Sequence, residues 1–200
     1  MVSLIVLKWM RGGVALAISL LLFFCGCASI AGIDVVKEGI EANPEGGAYI
    51  EGVPFFPQEE YYCGPASLAS VLGFYGLTIE QQDIADEVYL PGLKGTLSID
   101  ILLYAKGKGF NASYYSGSTD DLKRQISMNR PVMLFLNVGY NTYPKGHYIV
   151  AVGYNDGMSV FIAHSGREKE RLFSYEELER LWEKTGFATI LIGPKGDSED

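Results

Sequence analysis

Two hundred residues, 48% hydrophobic and 20% charged, make one domain of ordinary size whose core needs no disulfide staples, and leave no room for a second full domain. With 16 basic against 24 acidic side chains the net charge is −8, which argues against nucleic acid as a partner.

Residues 1–27 have the layout of an export signal. Lys8 and Arg11 are followed by an apolar run of eleven residues, Val14 to Phe24, and then by small residues from Gly26 to Ser29. That run is short of the roughly 20 residues a bilayer-spanning helix needs. The stretch "FFCGC" resembles the signal of bacterial lipoproteins, with Cys27 as the lipidated new N-terminus. The resemblance implies a lipid-anchored membrane protein of the bacterial cell envelope, facing the periplasm or the exterior; plain secretion and an uncleaved anchor are the alternatives. Cleavage before Cys27 removes Lys8 and Arg11, takes the net charge to −10, and leaves Cys63 as the only unmodified thiol. An exported domain with one unpaired cysteine calls for a functional explanation.

Residues 28–47 contain "EANPEGG" with little periodicity and are expected to form a tether, the domain running from 48 to 195 and an acidic tail from 196 to 200. In "CGPASLASVLGFYG", Pro65 suits a first helical turn, Leu68, Val71, Leu72 and Tyr75 recur at helical spacing, and Gly76 ends the pattern. Cys63 therefore opens a helix. "TIEQQDIADEVY" gives a second helix with a Thr78–Gln81 capping box, "SIDILLYAKGKG" a third capped by Ser98, and the stretch from about Asp120 to Asn129 a fourth. From Pro131 the pattern turns to strands: "PVMLFLNV", "HYIVAVGY", "SVFIAH" and "FATILIG", interrupted by the helix "SYEELERLWEK" with Ser174 and Glu177 as its capping pair. A mainly helical half followed by a mainly antiparallel sheet is an α+β domain.

The chemistry concentrates in few residues. A thiol attacks as its thiolate, and a helix N-terminus supplies N–H groups and partial positive charge that favour it. His147, one of only two histidines, starts the strand "HYIVAVGY" after the turn-like "NTYPKG", a suitable place for a base. The turn "YNDG" centred between Asp156 and Gly157 sets His147 opposite about Gly166, with His164 and Ser165 near. Asn155 and Asp156 lie about 26–30 Å along the strand and cannot orient it. Two histidines and one thiol show no metal-ligand spacing, and no cofactor is expected.

"VPFFPQEEYYCGPASLASVL", followed 84 positions after Cys63 by "GHYIVAVGYND", resembles papain-like cysteine peptidases of the bacteriocin-processing, double-glycine leader type, over roughly 50–193. The resemblance implies a papain-like fold and a peptide or protein substrate. In that mechanism Cys63 attacks, His147 shuttles the proton, and Gln58 lines the oxyanion hole with the Cys63 backbone N–H. The family's third residue is usually an Asp at the end of the following strand. Here the chain reads "FIAHSG", and His164 occupies about that position as the candidate orienting residue. A neutral imidazole accepts a hydrogen bond but does not offset an imidazolium charge.

The same residues admit other readings. Unpaired cysteine is often a buried small hydrophobe, His147 an ordinary strand-edge residue, and Gln58 a polar loop residue. The missing carboxylate allows a non-catalytic peptide-binding lipoprotein, and acyl chemistry on a papain-like fold also serves cell-wall amidases and transpeptidases. Phe55, Phe56, Tyr61, Tyr62, Tyr140 and Tyr143 are candidates for a cleft lining, or for core and rim.

Overall fold

The computed structural model describes residues 32–140 and 142–196. The expected signal 1–27 with its Cys27, and residues 197–200 of the expected tail, lie outside them. Among the described residues no helix is long and apolar enough to cross a membrane.

Folded structure begins earlier than expected. The segment read as a tether is helical from Ile33 to Ala42 (α1), makes a short 3-10 turn at Pro44–Gly46, and pairs as strand Gly47–Tyr49 (β1). Its one fully buried side chain, Val36, and a hydrogen bond from Asn155 Nδ2 to the Val36 carbonyl (3.1 Å) attach α1 to the domain. Ile33, Val36 and Ile40 recur at helical spacing in this segment, and in so short a helix tertiary contacts decide the outcome.

Helices Cys63–Phe74 (α2), Gln81–Val88 (α3) and Ser98–Gly107 (α4) come next. Then follow strand Phe110–Ser116 (β2), helix Thr119–Ser127 (α5), and strands Val132–Asn137 (β3), Gly146–Asn155 (β4), Val160–Ser165 (β5) and Glu168–Ser174 (β6). Helix Tyr175–Glu183 (α6) and strand Ala188–Pro194 (β7) close the domain. The antiparallel sheet runs β2-β7-β3-β4-β5-β6, and β1 extends it by pairing the far end of β4. The helical first half and sheet-rich second half match the expected α+β class. Three strands were not anticipated: β1, β2 with its exposed Tyr114, and the charged edge strand "EKERLFS".

Two expected caps differ. Glu80 and Leu97, not Thr78 and Ser98, precede α3 and α4, while Ser118 and Ser174 do cap α5 and α6 by accepting from Asp121 N and Glu177 N, each at 3.1 Å. The displaced side chains have other work. Gln81 Nε2 donates to the Pro57 carbonyl (2.9 Å) and Gln81 Oε1 accepts from Glu59 N (3.3 Å), and the Ser98 hydroxyl meets the Tyr148 hydroxyl at 2.8 Å.

Helix α2 is the central support. Gly64 to Leu72 are all buried, because the helix is apolar or small around its whole circumference and packs on β4. Gly64 sits so close to Thr96 that a Cβ would come within 2.9 Å of it, which explains the glycine immediately after Cys63.

Candidate functional site

Cys63 is the first residue of α2, with Pro65 in the first turn, where its missing N–H costs nothing. The loop before it is pinned from two sides. Gln58 N donates to the Gly166 carbonyl at 3.0 Å, and Gln81 holds the Pro57–Glu59 backbone. Tyr61 turns the chain into the helix with φ +67°, a conformation unusual for a tyrosine.

The Cys63 thiol is half-buried, and burial pushes its pKa up. The backbone N–H groups of Tyr148, Gly64 and Cys63 itself, and the charge of Lys145, act in the opposite direction without reversing that shift. The Tyr148 N–H, on the residue after His147, is thus among the groups that favour the thiolate.

His147 stands near the start of β4, its ring Nε2 3.0 Å from the Ser165 hydroxyl. Burial, then the charges of Lys145 and Arg171, push its pKa down to about 4, so the imidazole is neutral at pH 7. Gly166 joins His147 to Gln58: with φ +65°, a Cβ there would lie 3.8 Å from Gln58 Oε1 and 3.9 Å from His147 Cε1. The expected neighbourhood of His147 and Gly166 is therefore present. The ladder runs slightly longer than the turn arithmetic gives, with Ile149 opposite Ser165, Asn155 opposite Val160, and a shift between Ala151 and Gly153.

His164 is not brought to His147. Its Nε2 lies 3.2 Å from the Val53 carbonyl and its Nδ1 accepts from Glu170 N at 3.2 Å, so both ring nitrogens are used elsewhere. The reason is the two-residue period of a strand. Val150 pairs with His164 and Ile149 with Ser165, so Ser165 shares a face with His147 and His164 the opposite face. The residue that reaches the His147 ring is Ser165, 6% exposed, at a place the hairpin register anticipates.

Phe55 and Phe56 line a small cavity with Cys63, Gln58, His164 and Ser165, and Phe55 packs edge-on to the His164 ring. Tyr62 packs edge-on against Tyr89. Tyr140 and Tyr143, 83% and 81% exposed, stand in the turn that leads to His147. Among the described residues no group of three or more His, Cys, Asp or Glu side chains is placed to hold a metal.

The histidines also link stability to pH. A base whose folded pKa is depressed binds fewer protons folded than unfolded between those two values, so stability rises with pH across that window. For His147 the window runs from about 4 to the ordinary 6.5, and His164 is shifted in the same direction, chiefly by burial. Denaturant unfolding is expected to show a loss of about 2–3 kcal/mol from His147 between pH 7 and pH 4. His147→Gln should remove that part of the pH dependence.

The fold is shared with proteins of known structure. The peptidase domain of Streptococcus ComA, a bifunctional ABC transporter of a quorum-sensing pathway, superposes with a TM-score of 0.61 at 23% identity, covering 72% of this chain and all of that one. A putative C39-like peptidase from Bacillus anthracis gives 0.58 at 18% identity, over 74% of this chain and 98% of the other. A double-glycine motif protease of an AMS/PCAT transporter, solved in complex with its leader peptide, gives 0.58 at 20%, over 74% and 95%. At these identities the likeness establishes the papain-like cysteine-peptidase fold. A search of curated proteins gives no match. The Peptidase_C39 like family matches residues 50–190, which spans α2, β4 and every candidate site residue from Gln58 to Ser165, and the chain belongs to that family.

Proposed function

We propose that the chain is an exported cysteine peptidase, anchored through a lipid on Cys27, that cleaves peptides or extended protein segments with no cofactor. The observation that carries this reading is that Cys63 opens α2 in a small cavity lined also by Gln58, Ser165 and Gly166, while Ser165 holds the neutral His147 ring at 3.0 Å.

The reaction follows from these parts. The ring nitrogen of His147 not bonded to Ser165 takes the thiol proton as the Cys63 sulfur attacks the scissile carbonyl. The Gln58 side-chain amide and the Cys63 N–H hold the oxyanion. The C–N bond breaks, the imidazolium proton passes to the leaving amine, and a Cys63 thioester remains. Water, deprotonated by His147, then releases the acyl group as a carboxylic acid. The leader peptide bound to the PCAT relative supports a peptide as substrate class.

A peptide-binding protein that does not cut is the second reading, favoured by a hydroxyl, that of Ser165, as the partner of His147 and by the raised pKa of Cys63. Digestion of a random peptide mixture, with new termini sequenced by mass spectrometry, separates the two. Cleavage by the native chain and none by Cys63→Ala is expected; peptide retention without new termini would establish the second reading.

A further inference from the structure

We infer that Ser165 is the positioning residue for His147 and that it works through one water shared with Gln58, which sets the tautomer of the base and the orientation of the oxyanion amide together. The catalytic meaning of this arrangement rests on the proposed acyl transfer; the hydrogen-bond chain itself does not.

For the other ring nitrogen to accept the thiol proton, His147 must carry its hydrogen on Nε2, the atom 3.0 Å from the Ser165 hydroxyl. A carboxylate there would impose that tautomer, because it only accepts. A hydroxyl both donates and accepts, and by itself decides nothing. Ser165 is forced to accept from Nε2–H only if its own hydrogen has an acceptor elsewhere.

The structure offers a route to one. Ser165, Gln58, Cys63 and Ser67 line a cavity that leaves about 10 Å³ for the centre of a water molecule, the size at which a single water fits. Gln58 Oε1 is fully enclosed and finds no donor among the described residues. A carbonyl oxygen can only accept, so Oε1 needs a donor, while Ser165 needs an acceptor. One water in this cavity meets both needs, accepting from Ser165 and donating to Gln58 Oε1. His164 cannot substitute, since its two ring nitrogens are bonded to Val53 and Glu170, and the Ser70 hydroxyl is committed to the Ala66 carbonyl at 3.0 Å. With Oε1 held on the water, the two amide hydrogens of Gln58 are left for the oxyanion.

The test is the His147 tautomer, read by NMR on the full-length chain with 15N-labelled histidine at pH 7. The native protein is expected to carry the hydrogen on Nε2. Ser165→Ala should shift it toward Nδ1, and Ser165→Thr, which keeps the hydroxyl, should restore Nε2–H. Gln58→Met removes the acceptor beyond the water without touching the imidazole, and it should also shift the population toward Nδ1. A crystal structure of the native protein should show a water within hydrogen-bond distance of both Ser165 Oγ and Gln58 Oε1. Hydrogen on Nδ1 in the native protein, a native tautomer in Gln58→Met, or a cavity without that water each overturns the inference. Absence of peptide cleavage would sink the proposed function and leave the tautomer result standing, so the two fail separately.

Discussion

Cys63→Ala is expected to lower kcat/KM for peptide cleavage by about 10⁴-fold or more, because it removes the one thiol among the described residues and with it the acyl intermediate. The change should leave the fold intact. The site is half-buried, alanine is a strong helix former, and the first turn of α2 is held by Pro65 and the packing of Gly64 to Leu72 rather than by the sulfur. Thermal unfolding of the variant beside its activity checks both halves of this expectation: unchanged unfolding with lost cleavage is the signature of a nucleophile. A Cys63→Ala protein that still cleaves would assign the activity elsewhere.

Gln58→Ala carries the second largest effect, a loss of about 10²–10³-fold in kcat with KM little changed, since the amide acts on the oxyanion and not on the ground state. The loop should keep its place in the variant. It is tied by backbone groups, Gln58 N to Gly166 and the Pro57–Glu59 segment to Gln81, none of which the truncation removes. Steady-state kinetics on one peptide substrate is the measurement, and an equal fall in binding and turnover would show that Gln58 shapes the loop instead.

The electrostatics point to a site at rest as a neutral pair. A thiolate–imidazolium pair needs surroundings that stabilise the positive ring. Here the ring meets a hydroxyl, with Lys145 and Arg171 close enough to oppose a second positive charge. The same Lys145 favours a thiolate at Cys63. The arrangement therefore suits proton transfer during attack, with charge separation confined to the moment when substrate fills the site.

Much of this was legible in the sequence. The helix opening at Cys63 announces itself by Pro65 and the apolar spacing behind it, and the strand of His147 by its unbroken apolar run. What stayed hidden has physical causes. Helix α1 and strand β1 are short and depend on contacts with Asn155 and the end of β4, which no local pattern encodes. The edge strand β6 is charged, so it reads as a loop. The side chain beside His147 is Ser165 and not the expected His164, because a single step along a strand exchanges faces and the alternation from Ile149 selects position 165. Gln81 looked like a helix cap because capping boxes are recognised by spacing alone; its amide instead reaches across to the loop that carries Gln58.

The most direct test of the central claim is a burst experiment on the full-length chain with a peptide nitrophenyl ester, followed by mass spectrometry of the Cys63 peptide. One equivalent of nitrophenol is expected in the first turnover, with an acyl adduct on Cys63, no burst in Cys63→Ala, and acylation slowed about 10²–10⁴-fold in His147→Ala. Absence of a burst, or acylation of Cys63 at the native rate without His147, would contradict that claim.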